Sequence, residues 1–68
     1  MPKWEEMAEA FTIFAKYGDK IKNQSVCAEH DEIYAGHGVD EVVSAEDLAR
    51  LKVLGWRISD VGGFCKYV

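Results

Sequence analysis

The chain lacks most of what marks a secreted or membrane-spanning protein. It has two cysteines in 68 residues, too few for a disulfide-rich scaffold. Cys27 and Cys65 are expected to be reduced and largely buried, behaving as small apolar residues. No apolar run is long enough to span a bilayer. No charged-then-apolar signal segment opens the chain, because "MPKWEEMAEAF" interleaves charge with apolar groups as a water-facing helix does. These absences predict a cytoplasmic protein. Repeats, low-complexity segments and linkers are missing too. "DVGGF" lacks the lysine and hydroxyl that a phosphate-cradling Walker loop requires.

Positive charge is absent from one contiguous third. Asn23 to Asp47 holds seven acids (Glu29, Asp31, Glu32, Asp40, Glu41, Glu46, Asp47) and neither Lys nor Arg. The first 22 residues are balanced, and the last 21 carry four basic residues and one acid, for a net charge of −4. An anionic third repels a nucleic-acid backbone, so direct nucleic-acid binding is not expected. Its natural complement is a basic protein surface or a cation.

What is present suffices for one small core. Nearly half the residues are apolar and eight are aromatic. That composition is not disordered and predicts a single compact domain over residues 1–68. Trp4, Met7, Ala8, Phe11, Phe14 and Ala15 recur at spacings of three and four, the stripe of an amphipathic helix from about Lys3 to Tyr17. Gly18 is its expected stop. Ile13 lies roughly opposite Trp4 at about 100° per residue, with Ala10 and Tyr17 on the flank. Those three residues offer a second face, through which a homodimer can form; single exposed apolar residues are the plainer reading.

Asp19 to Gln24 read as a connection. "SVCAEH" and "EIYAG" read as two strands turning at Asp31, and "GHGVDEVV" as a loop. Ser44 is a helix N-cap, with Asp47 three residues on as a short capping-box acid. Leu48, Leu51 and Leu54 form the stripe of that helix, and Gly55 ends it. "WRIS" and "FCKYV" are strands joined at "DVGG". The order is helix–hairpin–helix–hairpin. It predicts an α+β fold, an antiparallel four-stranded sheet with two helices on one face, and leaves strand order open.

The segment "CAEHDEIYAGH" concentrates candidate chemistry. Cys27, His30, His37 and Cys65 have ligand types that suit zinc, but residues three apart on a strand face opposite ways and Cys65 stands alone. A cysteine nucleophile with a histidine base lacks any further member of a catalytic constellation, so an enzyme is not expected, and neither is a cofactor. The third reading is an acidic edge that binds a partner. Its candidate contacts are Glu29, Asp31, Glu32, Asp40 and Glu41, with Tyr34 as an aromatic anchor.

"AEHDEIYAG", the acidic loop after it and the pattern S-x-x-D-x-x-x-L-x-x-L-G-W from Ser44 to Trp56 resemble small proteins encoded by bacteriophages and prophages. The resemblance runs from about Trp4 to Val68. The family is of unassigned function and has no catalytic motif, so it transfers no site residue. It implies a phage-derived gene expressed in a bacterial cytoplasm. By analogy with other small acidic phage proteins, it also implies an inhibitor of host nucleic-acid-handling or defence machinery, anti-CRISPR proteins among them.

Overall fold

The computed structural model describes residues 3–21 and 24–67. Lys22 and Asn23 of the expected connection, and Val68 of the expected last strand, lie outside the described residues. The elements are helix α1 (Trp4–Lys16), a 3-10 turn (Gly18–Lys20), strands β1 (Cys27–Glu29) and β2 (Glu32–Ala35), helices α2 (Val39–Val42) and α3 (Ala45–Val53), and strands β3 (Arg57–Ile58) and β4 (Phe64–Tyr67). The four strands form one antiparallel sheet in the order β1-β2-β4-β3. The class is α+β, with three helices in place of the two expected.

The third helix is α2, inside the expected loop. Gly38 starts it in a left-handed conformation, and Val39 is fully buried. Asp40 accepts a hydrogen bond from the Gly63 N–H at 3.1 Å, which ties α2 to the β3–β4 turn. Gly63 has φ +72, and a Cβ there would stand 2.9 Å from the Ala35 carbonyl oxygen, so only glycine fits the turn without strain.

Local chemistry sets α3 at both ends. Ser44 accepts from the Asp47 N–H at 3.2 Å, the cap the sequence predicts. At the other end Gly55 donates to Lys52 O and Trp56 donates to Leu51 O, with Gly55 at φ +94. This is a Schellman closure, whose usual apolar contact joins the residue after the glycine to the last helical turn. Leu51 and Trp56 fill those two positions and are both buried.

The core is one cluster: Ala10, Ile13 and Phe14 of α1, Val39, Leu51, Leu54, Trp56, Ala35 and Phe64. Ala35 and Phe64 are cross-strand partners, so they share a sheet face, and the helices cover that face. Trp56 stands edge-on to Phe11 and Phe14, with centroids 6.0 and 5.1 Å away, a favoured aromatic geometry. Among the described residues its buried indole N–H has no hydrogen-bond partner, so shape rather than polarity holds it.

Helix α1 has the expected extent but a different buried face. Ala10 is 0% and Ile13 7% exposed, whereas Trp4 is 92% exposed. Tyr17 is half-buried; its hydroxyl donates to Asp47 and accepts from the Ser44 N–H. The face Ala10–Ile13–Tyr17 therefore packs inward and is not available to a dimer. Gly18 does not end α1 through a left-handed residue; the chain tightens into a 3-10 turn after Tyr17. Asp47 closes no capping box. Its carboxylate turns to Tyr17 and to Lys16, 2.8 Å away.

Candidate functional site: the uncovered face of the sheet

Strand geometry assembles the site. Successive side chains alternate faces, so the neighbours of Ala35 and Phe64 point away from the helices. The register places Cys27, Tyr34, Cys65 and Arg57 in one row across all four strands. Glu29, Glu32 and Tyr67 form the next row on the same face.

Glu32 sits at the centre of this face. Its carboxylate takes a hydrogen bond from the Tyr34 hydroxyl at 2.9 Å and pairs with the Arg57 guanidinium. Arg57 stacks over the Tyr67 ring at 4.3 Å, a cation–π geometry. Tyr34 and then Arg57 hold the Glu32 carboxyl below its ordinary range. The same bond raises the Tyr34 phenol, and the Glu32 bond raises Arg57. Cys65 lies beneath, 3% exposed. A cavity of about 310 Å³ opens here, lined by Glu32, Tyr34, Arg57, Cys65 and Tyr67 and by Ile58, Ser59, Asp60 and Val61 where β3 runs into its turn. A second hollow of about 290 Å³ is lined by Cys27, Glu29, Tyr34, His37 and Val61. Tyr34 and Val61 are common to both.

The expected contacts divide. Glu29, Glu32 and Tyr34 come together on this face. Asp31 sits exposed in the adjoining turn. Asp40 is committed to the Gly63 N–H, and Glu41 is exposed on α2, apart from the face. Tyr34 is half-buried and bound to Glu32, so it is a wall of the cavity rather than a projecting anchor. Glu29 and Glu32 are direct cross-strand partners. Like charges so placed repel, and Arg57 relieves only Glu32. Among the described residues no hydrogen bond or ion pair engages the Glu29 side chain.

The zinc set does not assemble. Tyr34 stands between Cys27 and Cys65 in the register, which separates those strands by about 9–10 Å. His30 is in the turn at φ +54. Among the described residues no group of three or more His, Cys, Asp or Glu side chains can hold a metal ion. Both cysteines are free, but only Cys65 is buried; Cys27 is exposed, because β1 is a sheet edge. Among the described residues no hydrogen bond joins Cys27 to either histidine. Arg57, Asp60 and Tyr67 line the site and are not among the residues the sequence points to, and Cys65, expected as a buried thiol or zinc ligand, lies buried beneath the Glu32 cluster. The alternation Trp56-in, Arg57-out and Phe64-in, Cys65-out is the signal that places them on one face.

Comparison with protein-family models, with curated proteins and with solved structures finds no match. Among the described residues no helix is long and apolar enough to cross a membrane.

Proposed function

We propose that this protein is a non-enzymatic binding module that engages a basic protein surface through the uncovered sheet face. The observation that supports this most directly is the Glu29–Glu32 pair. Two carboxylates directly opposite one another, faced by one guanidinium, retain negative charge at a cost to the sheet. A lysine or arginine from a partner removes that cost. Tyr34 and Tyr67 beside them supply flat surfaces on which a cationic side chain stacks. Asp31 extends the charge at the turn.

A basic site covered in this way is closed to nucleic acid. The reading therefore extends to an inhibitor of host nucleic-acid-handling or defence machinery, anti-CRISPR-like, in a bacterial cytoplasm. Charge complementarity and the phage-type resemblance are its support.

The test is a salt-stepped pull-down from bacterial lysate, comparing the wild type with the E29K/D31K variant. The wild type is expected to retain one or more basic proteins that moderate salt releases, and the variant to lose them with its thermal midpoint not lowered. Identical retention by both proteins overturns the proposal.

A further inference from the structure

The first helix carries an apolar strip that the core does not use. Trp4, Ala8 and Ala15 lie within about 40° of one another around α1 and are all exposed. Phe11 forms the shoulder of the strip, half-buried, with its inner edge against Phe14 and Trp56. The Thr12 hydroxyl donates to its own helix at Ala8 O, 2.8 Å, so it asks for no partner from outside.

The two ends of this strip differ in shape. At one end the Trp4 indole projects, 92% exposed. At the other, about 16 Å along the helix, Ala15 borders a groove of about 130 Å³ whose walls include Phe11, Phe14, Ile21, Val26 and Ala35. A projecting ring and an apolar groove on one face are matched by a two-fold axis across the helix near its midpoint. An isologous contact of that kind uses the same patch twice.

We infer that a second copy of this chain docks here, with the two α1 helices antiparallel. Trp4 of each copy enters the groove beside Ala15 of the other. Ala8 of each copy meets Phe11 of the other, small against large. Glu5 and Lys16 lie on the same flank of α1, about 20° apart, and the antiparallel arrangement sets each against its opposite charge on the other copy. Lys16 also holds Asp47, but its side chain remains 59% exposed and an ammonium has three donors. Every large-to-small and plus-to-minus match arises from one axis, which favours a second copy over an unrelated partner. The strip shares no residue with the uncovered sheet face, so this contact leaves the proposed binding surface open.

The test is mass in solution, by sedimentation equilibrium from micromolar to millimolar concentration. The wild type is expected to pass from one 7.7 kDa chain to a dimer as concentration rises. Trp4→Ala removes an exposed side chain and should leave the fold intact while weakening the dimer by about 30-fold or more, as an aromatic anchor does. Ala8→Glu should also abolish it. A single-chain mass throughout the range overturns the inference, and so does a dimer that survives both substitutions.

Discussion

The two faces of the sheet are built by opposite means. On the covered face, Ala35 and Phe64 meet Phe14, Leu51, Leu54 and Trp56, and apolar shape decides the fit. On the uncovered face one carboxylate organises a tyrosine and a stacked arginine over a buried thiol. The first face gains from water exclusion; the second keeps charge at the surface and holds two glutamates in opposition. Stability is concentrated on one face, and the features that cost stability on the other. That separation leaves the proposed binding surface free to change without disturbing the core.

The comparison breaks most sharply at Trp56. Trp56→Ala is expected to cost about 3–5 kcal/mol. A domain of this size has only about 3–10 kcal/mol in total, so the variant should be largely unfolded in a urea titration followed by circular dichroism. Trp56→Phe should lose less, because it keeps a ring against Phe14 and removes the unpartnered N–H. Equal losses from both would show that the indole itself is needed.

Gly63→Ala tests the turn that joins the faces. The left-handed backbone and the 2.9 Å approach to Ala35 O predict a loss of about 1–3 kcal/mol, read from the urea midpoint. Ser44→Ala should cost about 1 kcal/mol through the lost cap of α3.

The pH dependence follows from the ion pairs. Asp47 is held low by Lys16 first and Tyr17 second, Glu32 by Tyr34 and Arg57, and Glu9 by Arg50. Each lowered carboxyl contributes stability that is complete above its ordinary value, 3.8 for Asp47 and 4.5 for the two glutamates. That contribution disappears as pH falls through the depressed folded value. Thermal midpoints should therefore fall below about pH 4, less steeply in Asp47→Asn. Lys16 and Tyr34 are raised above 10.5 and 10.0, so their contribution is complete below those values and is lost as pH rises past them.

The smallest effect is the most diagnostic. Glu29→Lys replaces a repulsive cross-strand pair with an attractive one, and the thermal midpoint should rise by about 1–4 °C. Binding to a basic partner should be lost in the same variant. A fall in the midpoint would mean that Glu29 supports the sheet instead of straining it.

Much of the fold was legible because it is local. Ser44 and Gly55 set the ends of α3 through hydrogen bonds that span three to five residues. The periodicity of α1 gave its extent. It did not give its face, because α1 carries two apolar arcs, Trp4–Ala8–Ala15 and Ala10–Ile13–Phe14, and only contact with Trp56 and Phe64 selects between them. The short helix α2 was hidden because four residues show no period; it exists through the burial of Val39 and the Asp40–Gly63 bond. Counting acids brings Glu29 and Glu32 to notice, but their placement beside Arg57, Cys65 and Tyr67 depends on pairing β2 with β4 and β4 with β3.

The sequence by itself determined the α+β class, the Ser44 and Gly55 caps of α3, the extent of the helices α1 and α3 and the anionic character of the middle third, since each rests on residue type and short-range spacing. The tertiary structure alone decided which arc of α1 is buried, the order β1-β2-β4-β3, and the seating of Glu32 between Tyr34 and Arg57. Those outcomes depend on the register between segments some thirty residues apart, where a slip of one residue moves every side chain to the other face.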